Sequence, residues 1–241
     1  MDRRDPAYQN VWMTGSALPL IAIDGPSGVG KSTTARRGAE RLGWQYLDTG
    51  AMYRAAALAI HRAGISLEDR PSLERLLSGL DLAQEGGRMY LAGEDVSEAI
   101  RTPEVSQAAS RVSTIGGVRR AMVEEQRRMA AQASVVMEGR DIGTVVFPNA
   151  DIKIFLDADQ AVRADRRVRE VAETGARVDS EEMARQIRER DQRDRTRLEA
   201  PLVQAPDAIY VDSTGLTIDQ VEETILRIIR ERTSNGKERT S

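Results

Sequence analysis

Apolar residues in this chain fall into short, dense runs set between longer amphipathic stretches. "LPLIAID" (Leu18–Asp24), "WQYLD" (44–48), "SVVMEG" (134–139), "ADIKIFLDA" (150–158) and "DAIYVDS" (207–213) each have the length and composition of a strand. The segments between them read as helices. One covers 31–43 and stops at Gly43; another covers 49–64, with Thr49 as a cap and Gly64 as a stop. Further helical patterns cover 103–114, 117–132, 160–173, 179–197 and 217–232. Strands alternating with helices imply a parallel sheet with helices on both faces. Residues 65–104 break that alternation. "LDLAQEGGRMYLAGEDVS" reads as two short strands around Glu85-Gly86-Gly87, a hairpin signal, so 65–104 is expected to be an insert. Residues 1–17 are polar and unpatterned and read as a loose leader, and 233–241 as a frayed tail.

Composition narrows the class. The 241 residues are 40% hydrophobic and 30% charged, which suits a soluble chain with ample length for a core. A net charge of −3 gives no global basic field for nucleic acid. The absence of cysteine excludes disulfides and cysteine-ligated zinc and fits a reducing compartment. The apolar runs are too short to span a bilayer, and "MDRRDPAYQN" lacks a signal-peptide core, so a cytoplasmic location is expected. Of the 35 basic residues only Lys31, Lys153 and Lys237 are lysine, which leaves 32 arginines. Base composition explains most of that bias, and it draws attention to the lysine at position 31.

Lys31 lies in "GPSGVGKSTT" (25–34), between the first strand and the first helix. Gly25, four residues, then Gly30-Lys31-Ser32 matches the phosphate-loop pattern G-x-x-x-x-G-K-[ST] in its confirming strand–loop–helix context. Glycines let backbone N–H groups close around phosphate, and the helix N-terminus favours anions. Gly25, Pro26, Ser27, Gly28, Val29, Gly30, Lys31, Ser32 and Thr33 are therefore expected to bind ATP. Lys31 would meet the β- and γ-phosphates, and the Ser32 hydroxyl would hold Mg²⁺.

Three further clusters point to an acceptor. Thr49, Tyr53 and Arg54 open the helix after the second strand, at the sheet edge where ligands bind in such folds. Arg54 is placed there as a clamp on an acceptor phosphate. "VVMEGRDIG" (135–143) ends a strand in charge. Arg140 can grip phosphate bidentately, Asp141 can accept from an amino group, and Glu138 stands where a carboxylate could organise the waters of Mg²⁺. "RERDQRDRTR" (188–197) carries five arginines with Asp191, Asp194 and Glu189. Seen alone it is a solvated helix; behind a phosphate loop it reads as a lid whose cations offset repulsion between two polyanions and expel water. No strong general base is present, and His61 is read as structural. A phosphate acceptor is already ionised near pH 7 and needs no base, which favours a nucleoside monophosphate over a sugar or alcohol.

Together "IDGPSGVGKST", "YLDTGAMYR", "EGRDIGTVVFP", "KIFLDA", "RDQRDRTR" and "APLVQAPDAIYVDST" resemble the bacterial cytidylate kinase family over roughly residues 18–230. The resemblance implies a P-loop nucleoside triphosphate hydrolase type of α/β fold. Its parts would be a five-stranded parallel sheet, a core of 18–64 and 105–232, a monophosphate-binding insert and a helical lid over 160–197. It implies transfer of the γ-phosphate of ATP to CMP or dCMP with Mg²⁺, by a monomer. It also implies that Thr49, Ser110, Arg119 and Asp141 line a cytosine pocket and that Arg54, Arg140 and Arg197 hold the monophosphate. Arg190 and Asp194 would then meet the sugar hydroxyls, with Arg163 and Arg166 near the ATP phosphates. Lys31, Arg140 and Arg197 would be the catalytic cations. Ser32 stands where many relatives have glycine, and Thr49 replaces a common serine. The alternatives are another P-loop small-molecule kinase, acting on shikimate or dephospho-coenzyme A, and a P-loop protein that binds ATP without transferring phosphate.

Overall fold

The five apolar runs are the strands of one sheet in the computed structural model, which describes residues 18–173 and 179–238. In chain order the first elements are β1 (Leu20–Asp24), α1 (Lys31–Leu42), β2 (Gln45–Asp48) and α2 (Thr49–Arg62). Next come α3 (Arg70–Ser78), β3 (Leu82–Glu85), β4 (Arg88–Leu91), β5 (Glu94–Asp95), α4 (Pro103–Val112) and α5 (Gly116–Ala130). The last are β6 (Val135–Gly139), β7 (Ile152–Asp157), α6 (Gln160–Glu173), α7 (Ser180–Thr196), β8 (Ile209–Asp212) and α8 (Ile218–Glu238).

The main sheet has the order β2-β6-β1-β7-β8, and β1 pairs in parallel with both β6 and β7. The first strand is thus central, flanked by two strands from much later in the chain. That is a topological switch point, where the carboxyl ends of the strands open a crevice. β1, β6 and β7 are buried on both faces, which is why they read as continuous apolar runs instead of alternating ones. Ile21, Ile23, Val136, Ile154 and Leu156 pack with Ala35, Ala39 and Leu42 of α1 and with Val221, Ile225 and Ile229 of α8.

The chain separates into two compact units. One takes Ala133–Thr196 with the chain before Leu47 and after Glu199; the other takes Leu47–Gln132 and Arg197–Glu199. The second unit is larger than the insert expected over 65–104, because α2 packs along α4 and α3 along α5. Its hairpin β3–β4 turns on Gly86 and Gly87 at φ 58° and 78°, the left-handed pair that a two-residue hairpin favours. Two elements there escape the sequence pattern. α3 is short and opens through Arg70-Pro71 behind the capping carboxylate of Asp69. β5 has only two residues and completes a three-stranded sheet.

The tail needs a correction. α8 does not end at 232; it runs to Glu238, carried on from the apolar stripe that packs against the core. A helix already nucleated extends at little cost per residue. The leader expected over 1–17 lies outside the described residues, as do 174–178 of the lid region and 239–241.

Gly25 follows β1 at φ 153°, and a Cβ there would lie 2.0 Å from the Leu156 carbonyl oxygen of β7. Gly25→Ala is expected to cost about 3 kcal/mol or more, read as a shift in the urea midpoint with unchanged slope.

Candidate functional site

In the first unit the phosphate loop closes on α1. Gly30 is the residue before the helix, left-handed at φ 94°, with no side chain capping the first turn and no acidic residue in it. The N–H groups of that turn are therefore available to an anion. Lys31 is buried, and its ammonium donates to the Pro26 carbonyl at 2.7 Å. Ser32 is exposed on the same turn.

Charge gathers at the carboxyl ends of β1 and β6. Asp24 is buried, and its carboxylate accepts from the backbone N–H groups of Ile142 (2.8 Å) and Gly143 (2.7 Å). Glu138 is buried, and the Tyr46 hydroxyl donates to it at 2.5 Å. Arg140 donates through Nε to Asp194 at 2.9 Å and through Nη1 to the Gly139 carbonyl. Asp141 is buried, and its carbonyl accepts from Val145 and Val146 in one turn of π-helix over Ile142–Val146. A side chain at Gly143 would sit tightly against the Lys153 stem.

These charges perturb one another. Burial, then the Arg140 charge, pushes Lys31 down to about 7, against the pull of Glu138. Burial pushes Asp24 up to about 6, against the two N–H groups it accepts. Burial also works against the charge on Arg140, but Asp194 outweighs it and holds that guanidinium above its ordinary value.

The run 188–197 is not a solvated face throughout. Asp191 and Asp194 are buried, and Arg163 pairs with Asp191 at 2.6 Å. Arg163 also donates to the carbonyls of Ala158 (3.0 Å) and Ser27 (3.1 Å). Arg166 donates to the carbonyls of Ser213 (2.6 Å) and Leu216 (3.1 Å) and to the Ser213 hydroxyl. Both guanidinium groups thus brace the phosphate loop and the turn after β8. Arg190 is half-buried and close enough to Lys31 to lower its pKa.

In the second unit, Asp48 caps α2, accepting from Ala51 N–H at 2.8 Å, in place of Thr49. Thr49 is instead the first helical residue and is buried. The other oxygen of Asp48 pairs with Arg54 at 3.2 Å, so Arg54 is partnered and does not snorkel into solvent. Gln84 of β3 grips the Asp48 backbone twice, accepting from its N–H (3.0 Å) and donating to its carbonyl (3.1 Å). Ser110 on α4 and Arg119 on α5 are buried, and Tyr53 is half-buried. Arg54 Nε and Ser110 Oγ are buried with no hydrogen-bond partner. Arg197 is half-buried and belongs to the short segment grouped with this unit. His61 is exposed in the last turn of α2.

A cytidylate kinase family model matches residues 21–231. The chain belongs to the cytidylate kinase family. It is 53% identical over 221 residues to a cytidylate kinase of Solibacter usitatus, covering 91% of this chain and 95% of that protein. It is 50% identical over 217 residues to a cytidylate kinase of Syntrophotalea carbinolica, covering 88% and 92%. Among solved structures, a gluconokinase from Sinorhizobium meliloti superposes with a TM-score of 0.51 at 15% identity, covering 92% of this chain and 98% of that one. That likeness speaks for the P-loop kinase fold.

Within this family member, Asp24, Tyr46 and Gln84 were not singled out from sequence, and Asp191 figured only as one charge of the run 188–197, with no role of its own. Asp24 carries a usable signal, being a charge at the end of a fully apolar strand. The other three act through partners far along the chain, and no local pattern marks them.

Lys31 is largely neutral at pH 8 if its pKa is about 7, and a triphosphate beside it restores the charge. ATP binding at pH 8 is therefore expected to take up about one more proton in the wild type than in Lys31→Met. Calorimetry in buffers of different ionisation enthalpy reads that difference.

Proposed function

We propose that the chain transfers the γ-phosphate of ATP to CMP or dCMP, giving CDP or dCDP and ADP. The observation that carries this reading is a phosphate loop whose lysine lies within one buried charge cluster with Glu138 and Arg140, in a member of the cytidylate kinase family. The acceptor oxygen is ionised at neutral pH, so the transfer needs positioning and charge stabilisation and no protein base.

The proposed roles concern residues of each unit taken by itself. In the first, the loop from Gly25 to Thr33 cradles the triphosphate, and Lys31 meets charge that peaks in the transition state. Arg140 holds the acceptor phosphate, Asp141 accepts from the cytosine amino group, and Arg190 and Asp194 meet the sugar. Arg163 and Arg166 fix the loop that touches ATP. In the second, Arg54 and Arg197 serve the monophosphate, while Thr49, Ser110 and Arg119 serve the base, with Tyr53 beside them. The orphaned Arg54 Nε and Ser110 Oγ suit a ligand that supplies their missing partners.

Mg²⁺ belongs to the same proposal. Ser32 offers an open hydroxyl on the first turn of α1, and Glu138 a buried carboxylate oriented by Tyr46. An all-oxygen set with few protein ligands suits an ion held chiefly by substrate phosphates and water. When bound, the ion would neutralise charge on the β- and γ-phosphates. A cytoplasmic monomer completes the reading; among the described residues no helix is long and apolar enough to cross a membrane.

An ADP-release assay across CMP, dCMP, UMP, AMP and shikimate tests it. CMP and dCMP are expected to turn over, with UMP lower by about 100-fold or more in kcat/KM, since uracil leaves buried polar groups unpaired. Comparable turnover of UMP rejects the base assignment, and turnover of shikimate alone rejects the family activity for this chain. Lys31→Ala is expected to remove about 100-fold or more of kcat. Arg140→Ala should chiefly weaken CMP, with ATP affinity near normal; equal loss of both contradicts its acceptor-side role.

A further inference from the structure

We infer that Asp24 is a positioning residue, whose carboxylate braces the turn carrying Arg140 and Asp141 and so lets the strand that opens the phosphate loop set the acceptor-side groups. This rests on the proposed role of Arg140 and Asp141 with the acceptor.

The turn over Ile142–Val146 is a single π-helical turn, and its first N–H groups have no partner within it. Asp24 supplies two of the missing acceptors from 118 and 119 residues away, one oxygen to Ile142 N–H and the other to Gly143 N–H. Only a carboxylate can accept at both oxygens; an amide of the same shape presents a donor at one of them. The far side of the turn is closed as well. A Cβ on Gly143 would lie 3.1 Å from Cδ and 3.2 Å from Cγ of Lys153, and 3.4 Å from Asp24 Oδ2.

Lys153 cannot swing away freely. Its stem is buried in β7, and its ammonium is held by the Pro148 carbonyl and by Asp207 at 2.8 Å. A Cβ at Gly143 would therefore fit only if the lysine stem gave way by a few tenths of an ångström. Asp141 immediately precedes Ile142 and Arg140 precedes Asp141, so a shift at 142–143 moves the groups assigned to the acceptor. The phosphate loop hangs from the same strand end, yet hydrogen bonds to its carbonyls come from Lys31, Thr34, Arg163, Arg166 and Ser213, none of them on the turn after Asp141. A loosened turn therefore acts on the acceptor first.

The test uses Asp24→Asn, Gly143→Ala and the double variant of the full chain, with hydrogen exchange and separate CMP and ATP titrations. In the wild type, the Ile142 and Gly143 amides are expected to exchange as slowly as those of β1 and β6; fast exchange there overturns the brace without any variant. In Asp24→Asn, amides of 140–146 should exchange about tenfold faster or more, with β1 and β6 unchanged. CMP should bind about tenfold more weakly and ATP within about threefold, and the double variant should be no worse than the weaker single. Unchanged exchange, parallel loss of ATP and CMP, or additive losses overturn the inference. If Arg140→Ala weakens CMP while Asp24→Asn does not, the positioning role alone fails. If exchange rises but neither variant alters CMP binding, the acceptor role of Arg140 fails and the brace stands.

Discussion

Burying opposite charges together at the end of a parallel sheet is the constraint on which the rest depends. A lysine or carboxylate taken out of water is costly unless its partners are supplied in good geometry. Here Asp24 has two backbone N–H groups, Glu138 has a phenol, Arg140 has Asp194, and Lys31 has a carbonyl. The last pairing is the weakest, because a carbonyl dipole replaces a counter-charge. Burial, and then the neighbouring Arg140 charge, push Lys31 down to about 7, while Asp194 holds Arg140 charged. The resting unit thus carries a cation held below its natural charge, and a triphosphate is the kind of anion that completes it.

The arginine bias then acquires a structural meaning beyond base composition. Arg163 and Arg166 each reach several carbonyl or carboxylate acceptors, which a planar fork of five donors can do and an ammonium on a flexible stem does poorly. Their targets include the carbonyls of Ser27 and Val29, inside the phosphate loop itself. In a trans peptide the N–H lies opposite its carbonyl, so carbonyls held by arginine turn the N–H groups of the same peptides the other way. The loop's preorganisation is therefore shared between its glycines and a helix more than 130 residues away.

The parts that were legible in the sequence are those with local causes. The buried strands show as apolar runs because both faces are covered. The phosphate loop shows because glycine, lysine and hydroxyl must stand at fixed offsets. The hairpin shows because two left-handed positions require Gly86-Gly87. What was not legible depends on distant partners or weak local signal. α3 has nine residues and two buried leucines, too little period to separate from a loop. Thr49 has the residue type of a cap, but the carboxylate one residue earlier takes that place, with Gln84 bonded to the same residue's backbone. The charged run 188–197 could be read as solvated or as a lid; that Asp191 and Asp194 face inward emerges only with Arg163 and Arg140 in place.

The two shifted groups also shape how the first unit responds to pH. Asp24 has a folded pKa above its ordinary value, so the folded state binds more protons there, and its contribution to stability falls as pH rises from about 4 to about 6. Lys31 has a folded pKa below its ordinary value, so the unfolded state binds more protons, and its contribution rises between about 7 and 10.5. Between roughly 6 and 7 both penalties are present at once, since the fold then carries an ionised Asp24 and a largely protonated Lys31. A bound triphosphate relieves the lysine part by giving it a counter-charge, while the aspartate part remains with its two N–H partners. Without a bound anion the first unit thus carries both burial penalties near neutral pH, which follows from burying Asp24 and Lys31 together.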